Sequence, residues 1–256
     1  MTLVFTDQLD RKIEIIFPPL RIISLVPSQT ELLAELGLNA EVVGITKFCI
    51  HPESWFRNKT RVGGTKSIDI EKLRALKPDL IIANKEENDQ EQIALLTAEF
   101  PVWISDVRTL EDALKMIMSI SELTDRMEKG QQLKSRIQLV FAGISKIQPT
   151  ATCAYFIWWN PLMTINADTF INDMLQRCGF DNVFRERSDS RYPEISHTDL
   201  VASNPEYIFL SSEPFPFGDK HLNHFQILFP NARVVQVDGE TFSWYGSRLQ
   251  YFRCPV

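Results

Sequence analysis

The hydrophobic and polar positions along this chain follow one pattern twice. In the first copy an apolar strand at 20–26 precedes a helix, and the copy closes at 70–83 with a helix, a proline, an acid and a second apolar strand. In the second copy the first strand begins at Cys153, and the same closing order occupies 197–210. The repetition predicts two similar lobes with a ligand cleft between them.

Within each copy strands alternate with helices, which predicts an α/β fold of two Rossmann-like lobes with mainly parallel sheets. The continuous apolar pairs Ile22-Ile23 and Ile81-Ile82 are typical of strands covered on both faces. A hairpin is predicted near 2–17. In the first lobe the predicted strands are 21–26, 42–45, 79–83 and 101–105, and the predicted helices are 29–37, 69–76 and 89–98. In the second lobe the predicted strands are 153–158, 206–210 and 233–237, and the predicted helices are 168–178, 197–203 and 220–229.

The segment between the two copies predicts a long linker helix. Apolar side chains recur at three- and four-residue steps from Leu110 to Ile144, and no proline interrupts 109–147. A continuous helix of this length would extend roughly 55 Å and cross both lobes. Gly130 leaves two consecutive helices as the alternative. The predicted organisation is thus an N-terminal lobe at 1–108, a linker at 109–147 and a C-terminal lobe at 148–256.

Composition narrows the classes of function. The net charge of -6 argues against a general nucleic-acid or anionic-membrane binder. The first residues lack the basic start and apolar core of a signal peptide, so a missing leader and a cytoplasmic protein are both left open. The four cysteines are widely spaced, which favours neither a disulfide framework nor a zinc site. Cys153 and Cys178 lie in apolar patterns and are expected in the core.

Several phrases of the sequence resemble a known family when they are taken in this order. They are Arg21–Glu31, Val43–Thr46, Val62–Gly64, Ile70–Ile81, Tyr192–Ser196 and Asn204–Glu206. Together they resemble the helical-backbone class (class III) of periplasmic substrate-binding proteins, which deliver vitamin B12, ferric siderophores or haem to ABC importers. The first lobe is most similar to the cobalamin-binding branch. The resemblance implies a monomer in the periplasm that binds a metal chelate, meets an ABC permease and carries no intrinsic cofactor.

Ligand-binding loops are expected after the carboxyl ends of the strands, where α/β sheets open. In the first lobe these loops are 27–30, 46–51, 63–66 and 84–88, and in the second they are 158–161, 213–217 and 240–248. They are rich in aromatic residues, which suit a broad and largely apolar corrin or porphyrin. The candidate ligand-binding residues are Phe48, Cys49, His51, Thr65, Lys85, Trp158, Trp159, Phe215, Trp244, Tyr245 and Arg248.

Cys49 and His51 are the sharpest local feature, because alternate side chains of an extended loop point the same way. Both could approach one metal, with His51 at an open axial position of cobalt or iron. The alternative is that His51 caps the turn at Pro52 and that Cys49 fills a pocket.

Other candidates also carry a structural alternative. Arg248 could bind an anionic ligand group or a local carboxylate, and Lys85 is a weaker candidate of the same kind. Trp158 could equally belong to the core. His221 and His224, three residues apart on a predicted helix, are expected on a solvated face.

The family resemblance also implies two docking positions for the permease. Family members carry an exposed glutamate on each lobe, and Glu71 matches the first. The second position holds Thr198, with Asp199 beside it. Acids at helix starts are otherwise common for reasons of the helix dipole alone.

The sequence contains none of the common nucleotide-binding, metalloprotease or hydrolase motifs. The first hypothesis is therefore a protein that binds cobalamin or another corrinoid without chemistry. The second is a haem or ferric-siderophore receptor, although a siderophore site would be expected to hold more arginine and tyrosine. The third is a cytoplasmic tetrapyrrole-handling enzyme or metallochaperone.

Overall fold

The computed structural model describes residues 1–146, 148, 150–188 and 190–256, and these form two compact units. Unit 1 comprises Met1–Val107, Glu111–Leu139 and Trp244–Gln250. Unit 2 comprises Arg108–Leu110, Val140–Ser243 and Tyr251–Val256. Most of the segment predicted as a separate linker therefore groups with unit 1, and the predicted linker end at Ile147 lies outside the described residues.

Unit 1 begins with the predicted antiparallel hairpin and continues into a parallel five-stranded sheet, which has one strand, Thr60–Arg61, more than predicted. The hairpin strands are β1 (Thr2–Thr6) and β2 (Lys12–Ile16), and the sheet strands are β3 (Ile22–Ser24), β4 (Val42–Ile45), β5 (Thr60–Arg61), β6 (Leu80–Asn84) and β7 (Val102–Ser105). The helices are α1 (Pro27–Glu35), α2 (Glu53–Asn58), α3 (Ile70–Ala75) and α4 (Gln90–Thr97). The sheet order is β5-β4-β3-β6-β7.

After α5 (Leu110–Leu123) and α6 (Met127–Ala142), the chain enters the parallel four-stranded sheet of unit 2. Its strands are β8 (Ala151–Phe156), β9 (Phe180–Asn182), β10 (Tyr207–Ser211) and β11 (Arg233–Val237). The helices of this region are α7 (Phe170–Arg177), α8 (His197–Ser203), α9 (Asp219–Leu228) and α10 (Gly239–Ser243), and a 3₁₀ turn follows at Ser247–Tyr251.

The two sheets repeat one topology. The order β4-β3-β6-β7 in unit 1 corresponds to β9-β8-β10-β11 in unit 2, with β5 as an additional edge strand. Each sheet has its own apolar core, since Ile23 and Ile81 are buried in unit 1 and Ala154 and Ile208 in unit 2. The predicted α/β fold with mainly parallel sheets is confirmed.

The acid that follows the proline in each copy has the same structural role. The Asp79 carboxylate accepts the N–H groups of Leu20 and Arg21, both at 2.8 Å, just before β3. The Glu206 carboxylate accepts the N–H of Thr152 at 2.7 Å and its hydroxyl at 3.0 Å, at the start of β8. Each acid thereby satisfies backbone donors that the sheet leaves open, and ties two neighbouring strands together.

The predicted continuous linker helix is wrong, and the alternative of two consecutive helices holds. The break comes at Thr124–Arg126, where Asp125 has a positive φ of 58°. Gly130 lies inside α6 instead, where an added Cβ would meet the side chain of Ser121 in α5. Glycine here permits close helix packing, so its presence marks a contact and not a helix end.

Cys178 is buried as expected, but it is not a plain core residue, because it forms a disulfide with Cys254 across 76 residues. A cross-link of this length is expected to stabilise the folded chain by about 4 kcal/mol through loss of unfolded-state entropy. Cys153 is a free and buried core residue, as predicted.

Among the described residues, no helix combines the length and apolarity that crossing a lipid bilayer requires.

Candidate ligand-binding site

The predicted loops of unit 1 lie together at the carboxyl end of its sheet. The Asn88 amide, in the loop after β6, donates to the carbonyl of Leu25 at 3.2 Å and to that of Thr65 at 3.1 Å. Lys66 donates to the Asn88 carbonyl at 3.1 Å. One buried amide therefore joins the loops that follow β3, β5 and β6, and Thr65 contributes its backbone carbonyl to that junction.

Cys49 does not face a ligand surface, and the structure contradicts that prediction. Its thiol is fully buried and lies 3.1 Å from the hydroxyls of Thr30 and Thr46. Burial raises the pKa of the Cys49 thiol, so the neutral form is favoured. The alternative, in which Cys49 fills a pocket, is the one observed.

His51 lies at the end of the same loop and is half-buried. Its ring packs edge-on against Trp244, with the ring centroids 5.6 Å apart. Within the described part of the chain, no group of three or more histidine, cysteine or acidic side chains could hold a metal ion by itself.

The segment Trp244–Gln250 closes over these loops of unit 1. The Tyr245 hydroxyl donates to the Glu87 carboxylate at 2.8 Å. An added Cβ at Gly246 would lie 2.8 Å from the carbonyl oxygen of Ser28, so glycine permits this close approach. Trp244 and Tyr245 are both buried in the structure, and they support the loops instead of presenting open aromatic faces.

Arg248 binds a local carboxylate, which is the second of its two predicted roles. Its guanidinium donates to Glu31 through Nε at 3.1 Å and through Nη2 at 3.0 Å. The same group lies 4.8 Å from the centroid of the Trp244 ring. Lys85 is likewise paired with a local carboxylate, that of Asp106 at 3.0 Å. Phe48 is half-exposed, and the ammonium of Lys47 lies over its ring.

In unit 2 the aromatic residues form one cluster at the carboxyl ends of β8 and β10. Trp158 is 38% exposed, so the core interpretation is wrong for this residue. It packs edge-on against Phe215, with the ring centroids 5.6 Å apart. Trp159 lies in partly buried contact with Phe217 and Phe225. The exposed part of the cluster is an apolar surface of the kind that a flat ligand requires.

His221 does not lie on a solvated face, because it is buried in the aromatic cluster. Its ring centroid is 5.0 Å from that of Trp159 and 5.2 Å from that of Phe215. Nδ1 accepts the N–H of Gly218 at 3.1 Å, which requires a neutral Nδ1 and places the proton on Nε2. Nε2 is buried without a partner among the described residues, so it lies against the surrounding rings.

This environment predicts an acid-sensitive aromatic cluster. Burial, followed by the charge of Lys220, lowers the pKa of His221 below its ordinary value of 6.5. As the pH falls, the His221 imidazole is therefore protonated in the unfolded chain before it is protonated in the folded protein. The neutral His221 contributes fully to the free energy of unfolding above pH 6.5, and this contribution is lost as the pH falls towards the lowered pKa. Wild-type protein should lose more stability between pH 7.5 and 5 than His221→Gln, by at most about 1.4 kcal/mol per pH unit.

Thermal unfolding followed by near-ultraviolet circular dichroism measures this difference. His197→Gln, at the exposed start of α8, is the matched control and should keep the wild-type pH dependence. Equal pH dependence in wild type and His221→Gln would contradict the assignment.

The two predicted docking positions occupy the same place in the repeated units. Glu71 is the second residue of α3, and Thr198 is the second residue of α8. Both helices begin at a side-chain cap, Asp69 in unit 1 and Ser196 in unit 2, that accepts the N–H of the third helical residue. Glu71, Thr198 and Asp199 are all exposed. The Asp199 carboxylate lies 3.5 Å from the Arg187 guanidinium.

Sequence reasoning missed three side chains that shape these surfaces: Glu31, Glu87 and His221. Glu31 and Glu87 lie inside the predicted loops or the helix beside them, but their partners Arg248 and Tyr245 are more than 150 residues away. No local pattern indicates those pairs. For His221 the neighbouring Phe215 and Phe217 were a usable signal, because aromatic residues before a helix predict a covered first turn.

Known proteins show the same fold and similar sequences. A vitamin B12-binding protein of Vibrio cholerae is 29% identical over 207 residues, covering 79% of this chain and 74% of that protein. The crystal structure of the periplasmic vitamin B12-binding protein of Vibrio cholerae covers 91% of this chain and 93% of its own, with a TM-score of 0.76 and 25% identity. An apo periplasmic haem-binding protein of Roseiflexus sp. RS-1 matches in fold, with a TM-score of 0.78 at 17% identity over 90% of this chain and 94% of its own.

A protein-family profile also matches most of the chain. The profile described as periplasmic binding protein matches residues 22–226, from the first sheet strand of unit 1 into α9 of unit 2. That range includes both repeated sheets except β11, and most of the loops at their carboxyl ends. This chain therefore belongs to the periplasmic binding protein family.

Proposed function

We propose that this protein binds cobalamin or another corrinoid and delivers it to the permease of an ABC importer. The main support is the 207-residue similarity to a vitamin B12-binding protein of Vibrio cholerae. The loops at the carboxyl ends of both sheets supply the chemistry that such a ligand needs, namely exposed rings and polar backbone groups. The cleft that the sequence predicts between the lobes stays a prediction.

A corrin presents a broad apolar ring system with an amide fringe and an axial metal position. In unit 1, Phe48 offers an exposed ring, and His51 offers a nitrogen within the same loop. In unit 2, Trp158 and Phe215 offer an aromatic corner, with Trp159 behind it. Aromatic surfaces of this kind contribute most of the binding free energy for flat ligands.

The disulfide supports delivery outside the cytoplasm. Structural disulfides form and persist in oxidising compartments such as the periplasm. The Cys178–Cys254 bond joins α7 to the carboxyl-terminal segment of unit 2. Periplasmic residence of a binding protein accounts for this bond, whereas a cytoplasmic metallochaperone or enzyme does not. Cell fractionation that finds the oxidised chain only in the cytoplasm would overturn this assignment.

Corrinoid binding is tested by titrating purified protein with cyanocobalamin, using calorimetry and visible spectra. Wild type should bind tightly and release the ligand chemically unchanged. Trp158→Ala should weaken binding about tenfold, or roughly 1.4 kcal/mol, through loss of an exposed ring. In a parallel titration with aquocobalamin, the His51 nitrogen would replace the axial water on cobalt, so His51→Ala should alter the visible spectrum of the bound ligand.

The control for these variants is Tyr251→Ala, which should leave binding unchanged. Tyr251 is 71% exposed and belongs to none of the proposed binding loops, whereas an aromatic residue such as Phe100 packs against the core of unit 1. Absence of cyanocobalamin binding by wild type would overturn the proposed ligand.

We further propose that Glu71 in unit 1 and Asp199 in unit 2 contact basic residues of the permease. Both are exposed and lie at the first turns of matching helices, where an acid is favoured by the helix dipole. Each has an arginine partner on its own unit, Arg74 for Glu71 and Arg187 for Asp199, which a permease residue would have to replace. Thr198 holds the position in unit 2 that corresponds to Glu71, but it is uncharged. We propose that the neighbouring Asp199 carboxylate makes the contact in its place, with Thr198 beside it.

Docking is tested in cells that express the chain together with its importer. Glu71→Ala and Asp199→Ala should each slow uptake of labelled cobalamin severalfold while leaving ligand affinity unchanged, because rim charges act mainly on association. Glu53→Ala, an exposed acid on α2, is the control. Undiminished uptake by the Glu71→Ala/Asp199→Ala double variant would exclude this docking surface.

A further inference from the structure

Arg248 contacts the proposed binding region of unit 1, and its guanidinium is already paired with a carboxylate. Glu31, on α1, accepts two of its N–H groups at 3.0 and 3.1 Å. The two side chains retain only 22% and 24% of their exposure, so the pair is partly shielded from water. Bidentate and partly buried pairs of this kind are stronger than ordinary surface pairs.

The pair is also connected to the residues proposed to contact ligand. Arg248 lies 4.8 Å from the ring centroid of Trp244, and that ring lies 5.6 Å from the ring of His51. Only the Trp244 side chain therefore separates the charged pair from His51. The contacts make Glu31 and Arg248 part of the same surface, although they lie 217 residues apart.

The other cations of these loops also have partners, but of different kinds. Lys85 is paired with Asp106, and Lys66 donates to backbone carbonyls. Lys47 lies over the ring of Phe48, 5.0 Å from its centroid. Glu87 meanwhile accepts the Tyr245 hydroxyl. The loops and their immediate partners carry matching charges: Lys47, Lys66, Lys85 and Arg248 against Glu31, Glu86, Glu87 and Asp106.

We propose that the Glu31–Arg248 pair sets the charge selectivity of the ligand site, favouring an amide-fringed macrocycle over a carboxylate-fringed one. This inference rests on the proposed function. A ligand carboxylate would have to displace Glu31 from a bidentate contact and would then lie beside a like charge, which is costly. Ligand amides avoid that repulsion and can donate hydrogen bonds to carboxylate oxygens.

Two corrinoids that share the ring but differ in the fringe isolate this effect. Dicyanocobinamide carries amides, and dicyanocobyrinic acid carries carboxylates. Calorimetry at pH 7.5 gives the ratio of their dissociation constants. Wild type should bind the amide form at least about tenfold more tightly. Glu31→Gln leaves the guanidinium without its carboxylate, and should shrink that preference about tenfold.

Three further variants separate charge from damage to the fold. Arg248→Gln leaves Glu31 without its guanidinium and should widen the preference. The double variant Glu31→Gln/Arg248→Gln is uncharged at this position, and should return the ratio to within about threefold of wild type. Glu53→Gln breaks an exposed glutamate–arginine pair elsewhere in unit 1 and should leave the ratio unchanged.

The outcomes distinguish this inference from the proposed function. Tight binding of both corrinoids with equal affinity by wild type overturns the inference and leaves corrinoid binding in place. The inference is also overturned, with corrinoid binding left in place, if the ratio of the two dissociation constants is the same in Glu31→Gln and Arg248→Gln as in wild type. Absence of binding of cyanocobalamin as well as of both corrinoids overturns the proposed function together with the inference.

Discussion

In each unit, one carboxylate after a proline fixes how the first sheet strand aligns with its neighbour. Asp79 directly precedes β6 and bonds the backbone just before β3, and Glu206 directly precedes β10 and bonds the start of β8. A one-residue slip between such strands would turn every side chain to the opposite face. The loops at the carboxyl ends depend on this register, since Asn88 can reach Leu25 and Thr65 only when β3 and β6 are aligned.

Those loops combine apolar surface with balanced charge. Unit 2 presents Trp158 and Phe215 over a buried aromatic cluster that includes His221. Unit 1 presents Phe48 and His51 beside the neutralised pair of Glu31 and Arg248. A flat, largely apolar ligand with an uncharged fringe fits both descriptions, which is why a corrinoid is proposed over a ligand rich in carboxylates.

Much of this fold could be predicted from the sequence because the signals are local. The predicted bounds of β4, α8 and β11 match the structure, and the repeated closing phrase predicts two similar units, which share one strand order. Contacts between distant residues carry no such signal. The Cys178–Cys254 disulfide, the role of Gly130 against Ser121 and the burial of Cys49 all depend on which segments meet in three dimensions. The candidate residues lie in the loops that the sequence predicts, while their individual contacts required the structure.

Hydrogen–deuterium exchange with and without cyanocobalamin tests most directly the claim that ligand binds at the carboxyl-end loops. Bound ligand should slow exchange of backbone amides in 46–51, 84–88 and 213–217, and leave the β1–β2 hairpin unaffected. Unchanged exchange in all three loops at saturating cyanocobalamin, with slowed exchange elsewhere, would contradict the account.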